Sequence, residues 1–473
     1  MNTGHGPFRR KDLWLFRCVA LLFIIIVTLF FPKDSFAATI SVGISTGESS
    51  STFSAGKSAV NMTGATGEKA SFKSRVTVSG DTAGTVVAGT TRMKLPVTIN
   101  SQSIIQWNGR PYRGYLRLVQ DGRSFSVVNV IDIEDYLKGV LKMEVNPAWP
   151  TESLKAQAVI ARTYALRNRN KHGSAGYDLC ATSHCQVYRG VNAEDPVLTK
   201  VVESTRGVVL KYQGQLAQTF YHADSGGHTA DVSTVWSSSI PYLMGKPEPV
   251  HYESPYSNWQ VRIPLSEIQR VLFSKGINVG KLSSVEIVSV DEAGRAEMIM
   301  FSGSSGRMNL KASQFRTFMD PNRIRSTFFR IGDDAPIPKS PISPNPSPSS
   351  AAIVTEDVPL TPQDEQLLIS LTKNSVFNSE ELMDMLIKPE KRGYYLRKAL
   401  ERQSGCSGES SILKPQPTPS RPGGDHVFFT GRGWGHGVGL SQWGAKSLAE
   451  AGWDHVRILQ HYFPGTLLEK MSD

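Results

Sequence analysis

The sequence predicts an α+β fold: mostly antiparallel strands around a small helical lobe, with a Pro-rich and helical insertion. Three observations predict it. Residues 38–130 alternate apolar and polar side chains in short runs separated by Gly, Asn, Asp and Ser. Residues 133–169 switch to a helical period. From Gly207 onward the strand pattern returns.

Within 38–130, the runs 40–44, 75–78, 97–99, 115–119 and 125–130 carry alternating or β-branched apolar residues, as strands of a twisted antiparallel sheet or small barrel do. A first helix follows, with Ile133, Leu137, Val140 and Leu141 on one face. A second covers 151–169, where Leu154, Ala158, Ala161 and Ala165 make a narrow stripe small enough for close packing. Pro150 precedes it, and Glu152 in its first turn complements the helix dipole. Strands are expected over 208–212, 217–221, 259–263, 285–290, 297–301 and 326–330. Prolines at 336, 338, 341, 344, 346, 348, 359 and 362 among serines mark an extended linker. Residues 362–403 read as short helices with Leu367, Leu368 and Leu371 on one face, and 404–425 as a second polar piece. The strand ending near Arg330 and a strand over 427–430 then form the two arms of one hairpin, held apart by the insertion. A final helix starts near Gly444. The predicted organisation is 1–37, an export signal or anchor; 38–130, β-rich; 131–332, the core; 333–425, the insertion; and 426–473, the return to the core.

The chain has 473 residues and a formal net charge of +10. The excess is spread along the sequence, without the Lys/Arg block of a nucleic-acid binder, so no nucleic-acid partner is expected. Such a charge suits anionic wall polymers or membrane surfaces, and equally a solvated basic face. Arg9, Arg10, Lys11 and Arg17 precede an apolar run over 18–31, and Ser35-Phe36-Ala37 has the small-x-small form of a cleavage site. The run is short against the roughly 20 residues of a bilayer span. Cleavage near Ala37 is the favoured expectation and an uncleaved membrane anchor the alternative; either places the rest in the cell envelope, periplasm or medium. Of the four cysteines, Cys18 falls in this signal and Cys406 stands alone, so no disulfide framework holds the fold.

Four constellations carry candidate chemistry. Glu144 lies just past the first helix, in Leu-Lys-Met-Glu-Val-Asn-Pro-Ala-Trp-Pro. Asn146-Pro147 and Trp149-Pro150 force a loop there. Met143, Val145 and Trp149 are placed to shield the carboxyl, and desolvation would keep it protonated as a general acid must be. Cys180, His184 and Cys185 fall within six residues. They could hold zinc with a fourth ligand from water or another side chain, form a Cys180–Cys185 disulfide, or remain free thiols. Tyr221-His-Ala-Asp-Ser-Gly-Gly-His228 follows a strand. His222 and Ser225 there suit a hydrogen-bonding loop better than a nucleophile elbow, whose strand–turn–helix context is not evident. Last, Gly431 to Gly444 interleaves glycines with Trp434, His436, Ser441, Gln442 and Trp443. Such a backbone suits close approach to a ligand, and the indoles suit a sugar; the lysine spacing of a phosphate loop is missing.

These segments in this order resemble the SpoIID/LytB family, named for stage II sporulation protein D. The resemblance is carried by Ile133-Glu-Asp-Tyr-Leu-Lys-Gly-Val-Leu with Glu144, by Leu154-Lys-Ala-Gln-Ala-Val-Ile-Ala-Arg-Thr-Tyr-Ala165, by Cys185-Gln-Val-Tyr188, by Tyr221 to Gly227 and by Gly431 to Gly444. It covers about 40–330 and 426–469; the insertion at 333–425 matches nothing in the family. It implies a peptidoglycan lytic transglycosylase that cleaves between N-acetylmuramic acid and N-acetylglucosamine and leaves 1,6-anhydro ends. Glu144 would be its single acid/base, and His222, Ser225, His436, Ser441 and Gln442 would contact glycan strands. It also implies zinc at Cys180, His184 and Cys185 in a structural or site-shaping role. The alternative it implies is a non-catalytic, glycan-binding enhancer whose partner is a cell-wall amidase.

Overall fold

The computed structural model describes residues 38–332 apart from 83 and 237, residues 424–471, and Glu365, Leu367, Leu368, Arg392 and Leu396. The expected export signal or anchor at 1–37 and nearly all of the insertion lie outside the described residues, as do Cys18 and Cys406. Among the described residues no helix is long and apolar enough to cross a membrane.

The chain forms two compact units, and the division falls inside the 131–332 segment. The first takes the described residues up to His222, Ile240–Leu243 and Gly439 onward; the second takes Ala223–Ser239 and the described part of Met244–Val438.

The first unit begins with two sheets. The seven-stranded one runs in the order Leu179–Cys180, Thr39–Glu48, Ser124–Asp132, Tyr115–Asp121, Val97–Asn100, Val60–Thr63, Lys69–Phe72. The six-stranded one runs Arg110–Tyr112, Ile105–Trp107, Ser50–Ser54, Arg75–Gly80, Thr85–Ala88, Thr91–Lys94. Alternation sends Val60, Met62, Val97 and Ile99 from one sheet, and Phe53, Val76, Val78 and Val86 from the other, into a single apolar core. Each of these fully buried side chains is worth roughly 1.5–3 kcal/mol against exposure. The five expected strands are present; the short strands between them were not expected, because runs of three to five residues carry little period to read.

The expected first helix breaks in two, Ile133–Lys138 and Leu141–Glu144, with Gly139 as the cap of the first. Glu144 is therefore the last residue of a short helix rather than a residue beyond one. The second helix, Thr151–Arg167, is enclosed on all sides rather than along a stripe, burying Ser153, Gln157, Arg162 and Thr163 with the apolar residues. Its buried arginine is fully paired. Arg162 donates to both carboxylate oxygens of Glu134, at 2.9 and 2.7 Å, and to the Val208 carbonyl at 3.0 Å. Glu134 in turn accepts from the Gly207 N–H at 3.0 Å. Against this helix pack Pro196–Ser204, Val208–Tyr212 and two C-terminal helices, Gln442–Glu450 and His455–Tyr462.

In the second unit, Trp259–Pro264, His426–Gly431 and Phe329–Ile331 form a three-stranded sheet with His426–Gly431 at its centre. Phe329 pairs with Gly431 and Ile331 with Phe429, so the hairpin interrupted by the insertion is real. The meander Leu282–Val290, Ala296–Gly303, Gly306–Lys311 and the helices Leu265–Ser274 and Ala312–Phe318 close its core around Ile268, Leu272, Phe301, Phe315 and Phe429.

Candidate functional site

Glu144 is half-buried, and its carboxyl has three hydrogen-bond partners: the Tyr221 hydroxyl, the Val187 backbone N–H and the Gln442 side-chain amide. Three stretches far apart in sequence thus converge on one side chain. Tyr221 is placed by a two-residue parallel pairing with Leu440, which sets His222 beside Ser441 and starts the Gln442–Glu450 helix. Burial pushes the Glu144 carboxyl above its usual value; the three donors pull the other way without cancelling it. The Tyr221 hydroxyl is itself held protonated by burial and by the Glu144 charge, so it remains a donor.

Around the acid lies a chain of buried amides and phenols. Tyr136 donates to the Gln186 carbonyl oxygen at 3.1 Å, and the Gln186 amide nitrogen reaches the Tyr221 oxygen and the Ala161 carbonyl, each at 3.4 Å. The Gln442 amide reaches Gln157 on the long helix at 3.5 Å. Val145 is buried as expected, but Met143 is 45% exposed and shields nothing. Trp149 lies edge-on to Trp443, with ring centroids 5.2 Å apart and the Lys446 ammonium 5.4 Å from the Trp443 ring.

The other predicted residues fall differently. Ser441 is fully buried and caps its helix, accepting from the Gly444 N–H at 3.1 Å. His222 is 5% exposed. Ser225 and His436 belong to the second unit. The Ser225 hydroxyl is fully buried and donates to Glu248 at 2.7 Å; Tyr252, 3.2 Å from the same oxygen, donates to Asp224 at 3.0 Å. Arg295 closes this network, donating to the carbonyls of Ser225 and, at 2.6 Å, His228. His436 is half-buried against Trp236. The glycines of 431–444 serve the protein's own packing more than a ligand's approach. Gly433 and Gly439 have φ of 77° and 74°, and a Cβ there would lie 2.7 Å from the Asp224 carbonyl oxygen and 2.2 Å from that of Phe220.

The cysteine cluster gains a fourth member. His172, Cys180, His184 and Cys185 place one ligand atom each within 4.8 Å of one another, and both cysteines are free thiols. The His172 ring nitrogen is 3.3 Å from the Cys185 sulfur, and His184 Nδ1 is 3.7 and 3.6 Å from the sulfurs of Cys180 and Cys185. A tetrahedral zinc with ordinary bond lengths has sulfur–nitrogen edges of about 3.6 Å, so the donor set fits the metal. His172 sits on the turn after the long helix; no spacing rule links it to the cysteines, and sequence reading left its place to water or an unnamed side chain. Tyr221 and Gln186 were missed as site residues although both stood inside quoted motifs.

A family model described as stage II sporulation protein matches residues 121–212, which contain Glu144 and the cysteine cluster. The chain is 30% identical over 332 residues to an amidase enhancer of Bacillus subtilis (strain 168), covering 70% of this chain and 40% of that one. It is 31% identical over 239 residues to an uncharacterized protein of Brachyspira hyodysenteriae, covering 50% of this chain and 63% of the relative. Stage II sporulation protein D of Bacillus subtilis (strain 168) is 29% identical over 182 residues, 35% of this chain and 52% of the relative. The chain thus spans between 40% and 63% of the length of these relatives. By the domain match, residues 121–212 form a SpoIID domain of the stage II sporulation protein type, and the chain is similar to the amidase enhancer and to stage II sporulation protein D.

Proposed function

We propose that this chain is a peptidoglycan lytic transglycosylase in which Glu144 is both acid and base. The observation that carries the reading is a half-buried carboxyl with a raised pKa, ringed by donors from Tyr221, Val187 and Gln442. The acid protonates the glycosidic oxygen as the C1–O bond breaks. The muramyl sugar's own 6-hydroxyl then attacks C1 and returns its proton to Glu144, so no water is consumed and a second carboxylate to activate water is unnecessary. Gln442 and Tyr221 hold the carboxylate between the two proton transfers. In this proposal Ser441 and Ser225, being fully buried, are scaffold, as is His222; Gln442 acts through the Glu144 carboxyl, and the half-buried His436 contacts glycan from the second unit.

Zinc, when held by His172, Cys180, His184 and Cys185, would supply cross-linking of the 172–185 loop and no step of the reaction. Val187, whose N–H bonds the acid, follows Cys185 by two positions, so a fixed Cys185 fixes that donor. The same proposal makes the chain an exported envelope protein, in keeping with its N-terminal signal pattern.

The test is purified protein on glycan strands stripped of stem peptides. Anhydro-ended products, lost by about 10²–10⁴-fold in Glu144→Gln with thermal stability retained, are expected. Products heavier by one water would make the chain an ordinary hydrolase. A second reading draws on the relative named amidase enhancer: a glycan-binding enhancer of a cell-wall amidase. Intact strands that nonetheless bind the protein, with stimulation of an added amidase, would favour it.

A further inference from the structure

The second unit carries an aromatic surface that the acid's chemistry leaves unused. Trp236 ends the short helix Val232–Trp236 and is 43% exposed, while Val232 and Val235 of the same helix are buried. Its indole lies 4.9 Å from the imidazole of His436, with the ring planes at 54°. A single exposed tryptophan needs no explanation. What sets this one apart is how firmly both rings are held. Asp231 accepts from the Ser233 N–H at 2.8 Å where the helix begins, and the Ser313 hydroxyl donates to the Val235 carbonyl at 3.3 Å. Ala230, just before the helix, donates its N–H to the Gly437 carbonyl at 2.8 Å, tying the segment that leads to Trp236 to the residue after His436. The Val438 N–H donates to His436 Nδ1 at 3.1 Å, so the neutral ring carries its proton on Nε2.

A fixed, half-exposed indole beside a fixed imidazole suits one class of ligand. A pyranose ring has an apolar face of C–H groups and a polar rim of hydroxyl and acetamido groups. The indole covers the first by stacking, and the imidazole hydrogen-bonds the second. Because the indole packs on the imidazole and the backbone around both is anchored, less side-chain freedom is lost when a sugar lands there.

We propose that Trp236 and His436 form a glycan-contacting platform of the second unit, taking an N-acetylhexosamine ring of the strand and supplying affinity that does not depend on Glu144. The inference rests on the reading that the polymer is a peptidoglycan glycan strand. It makes binding separable from cleavage and assigns Trp236, so far without a role, as its anchor.

The experiment uses the full chain carrying Glu144→Gln, so that strands are not consumed, and measures affinity for stripped glycan strands by calorimetry. Adding Trp236→Ala is expected to weaken binding about tenfold, with Trp236→Tyr recovering most of it and the melting temperature unchanged. Equal affinity with and without Trp236→Ala would overturn the platform while leaving the glycan reading intact. Failure of the Glu144→Gln parent itself to bind strands, together with absence of cleavage by the unaltered chain, would overturn the glycan reading and the platform with it.

Discussion

Replacing Tyr221 by Phe removes one hydroxyl from beside the Glu144 carboxyl and leaves the ring in its place. That hydroxyl is the strongest of the three influences holding the Glu144 pKa down, ahead of the Val187 N–H and the Gln442 amide. It favours the carboxylate, so its loss favours the protonated acid and the pKa rises further above the ordinary value. A hydrogen bond to a charged group contributes about 1.5–3 kcal/mol, and the Gln186 amide, 3.4 Å from the Tyr221 oxygen, offers a partial replacement donor. Taking the low end, the shift is about one pH unit. The form that donates the proton then persists to higher pH. The basic limb of the kcat/KM profile for cleavage of stripped glycan strands should move up by that amount. The maximum falls in height, because the carboxylate formed mid-reaction has lost a donor. The reasoning is refuted if the limb stays where it was or moves to lower pH.

Three further outcomes follow from the same geometry. Arg162→Met strands Glu134 as a buried, uncompensated charge and should cost about 3–5 kcal/mol in urea unfolding, far more than a surface arginine would. Cobalt added to the reduced protein should give the visible absorption of a tetrahedral thiolate site at one ion per chain; His172→Ala should weaken or abolish that spectrum, and chelation of the metal should lower the melting temperature. Burial alone would raise the Glu152 carboxyl, but Lys155 and His455 outweigh it and hold it at about 2. Its contribution is present above the unfolded value near 4.5 and lost as pH falls toward 2. Since the side chain is 31% exposed, the effect is about 1 kcal/mol, and the stability difference between the parent and Glu152→Gln should shrink over that window in acid unfolding curves.

The long periodic pieces were legible. Five strands of 38–130, the helix at 151–169 and even the interrupted hairpin came from alternation and spacing, because each presents several side chains to one core. The burial of Glu144 was legible too, since a glutamate between a helix and two X-Pro steps is an unusual place for a solvated charge. What surrounds it was not. Tyr221 and Gln442 are brought to Glu144 by a pairing of strands more than two hundred residues apart, Val187 comes from the loop after the cysteines, and no local pattern encodes such a meeting. The enclosure of the Thr151–Arg167 helix escaped notice for a related reason. Its buried arginine and glutamine read as a solvent face until Glu134 and the C-terminal helices supply partners. The glycines near the C-terminus were misread as room for a ligand; the carbonyls of Asp224 and Phe220 occupy that room.

The parallel pairing of Tyr221 with Leu440 has a consequence for synthesis. A ribosome delivers Glu144 well before Gln442, with most of the second unit and the insertion in between. Until Gly439 and the residues beyond it emerge, Tyr221 lacks its strand partner, the acid lacks an amide donor, and Val208–Tyr212 lacks the Leu467–Lys470 strand along its edge. A chain terminated before Gly439 therefore carries the glutamate without its Gln442 donor and without the strand that pairs with Tyr221.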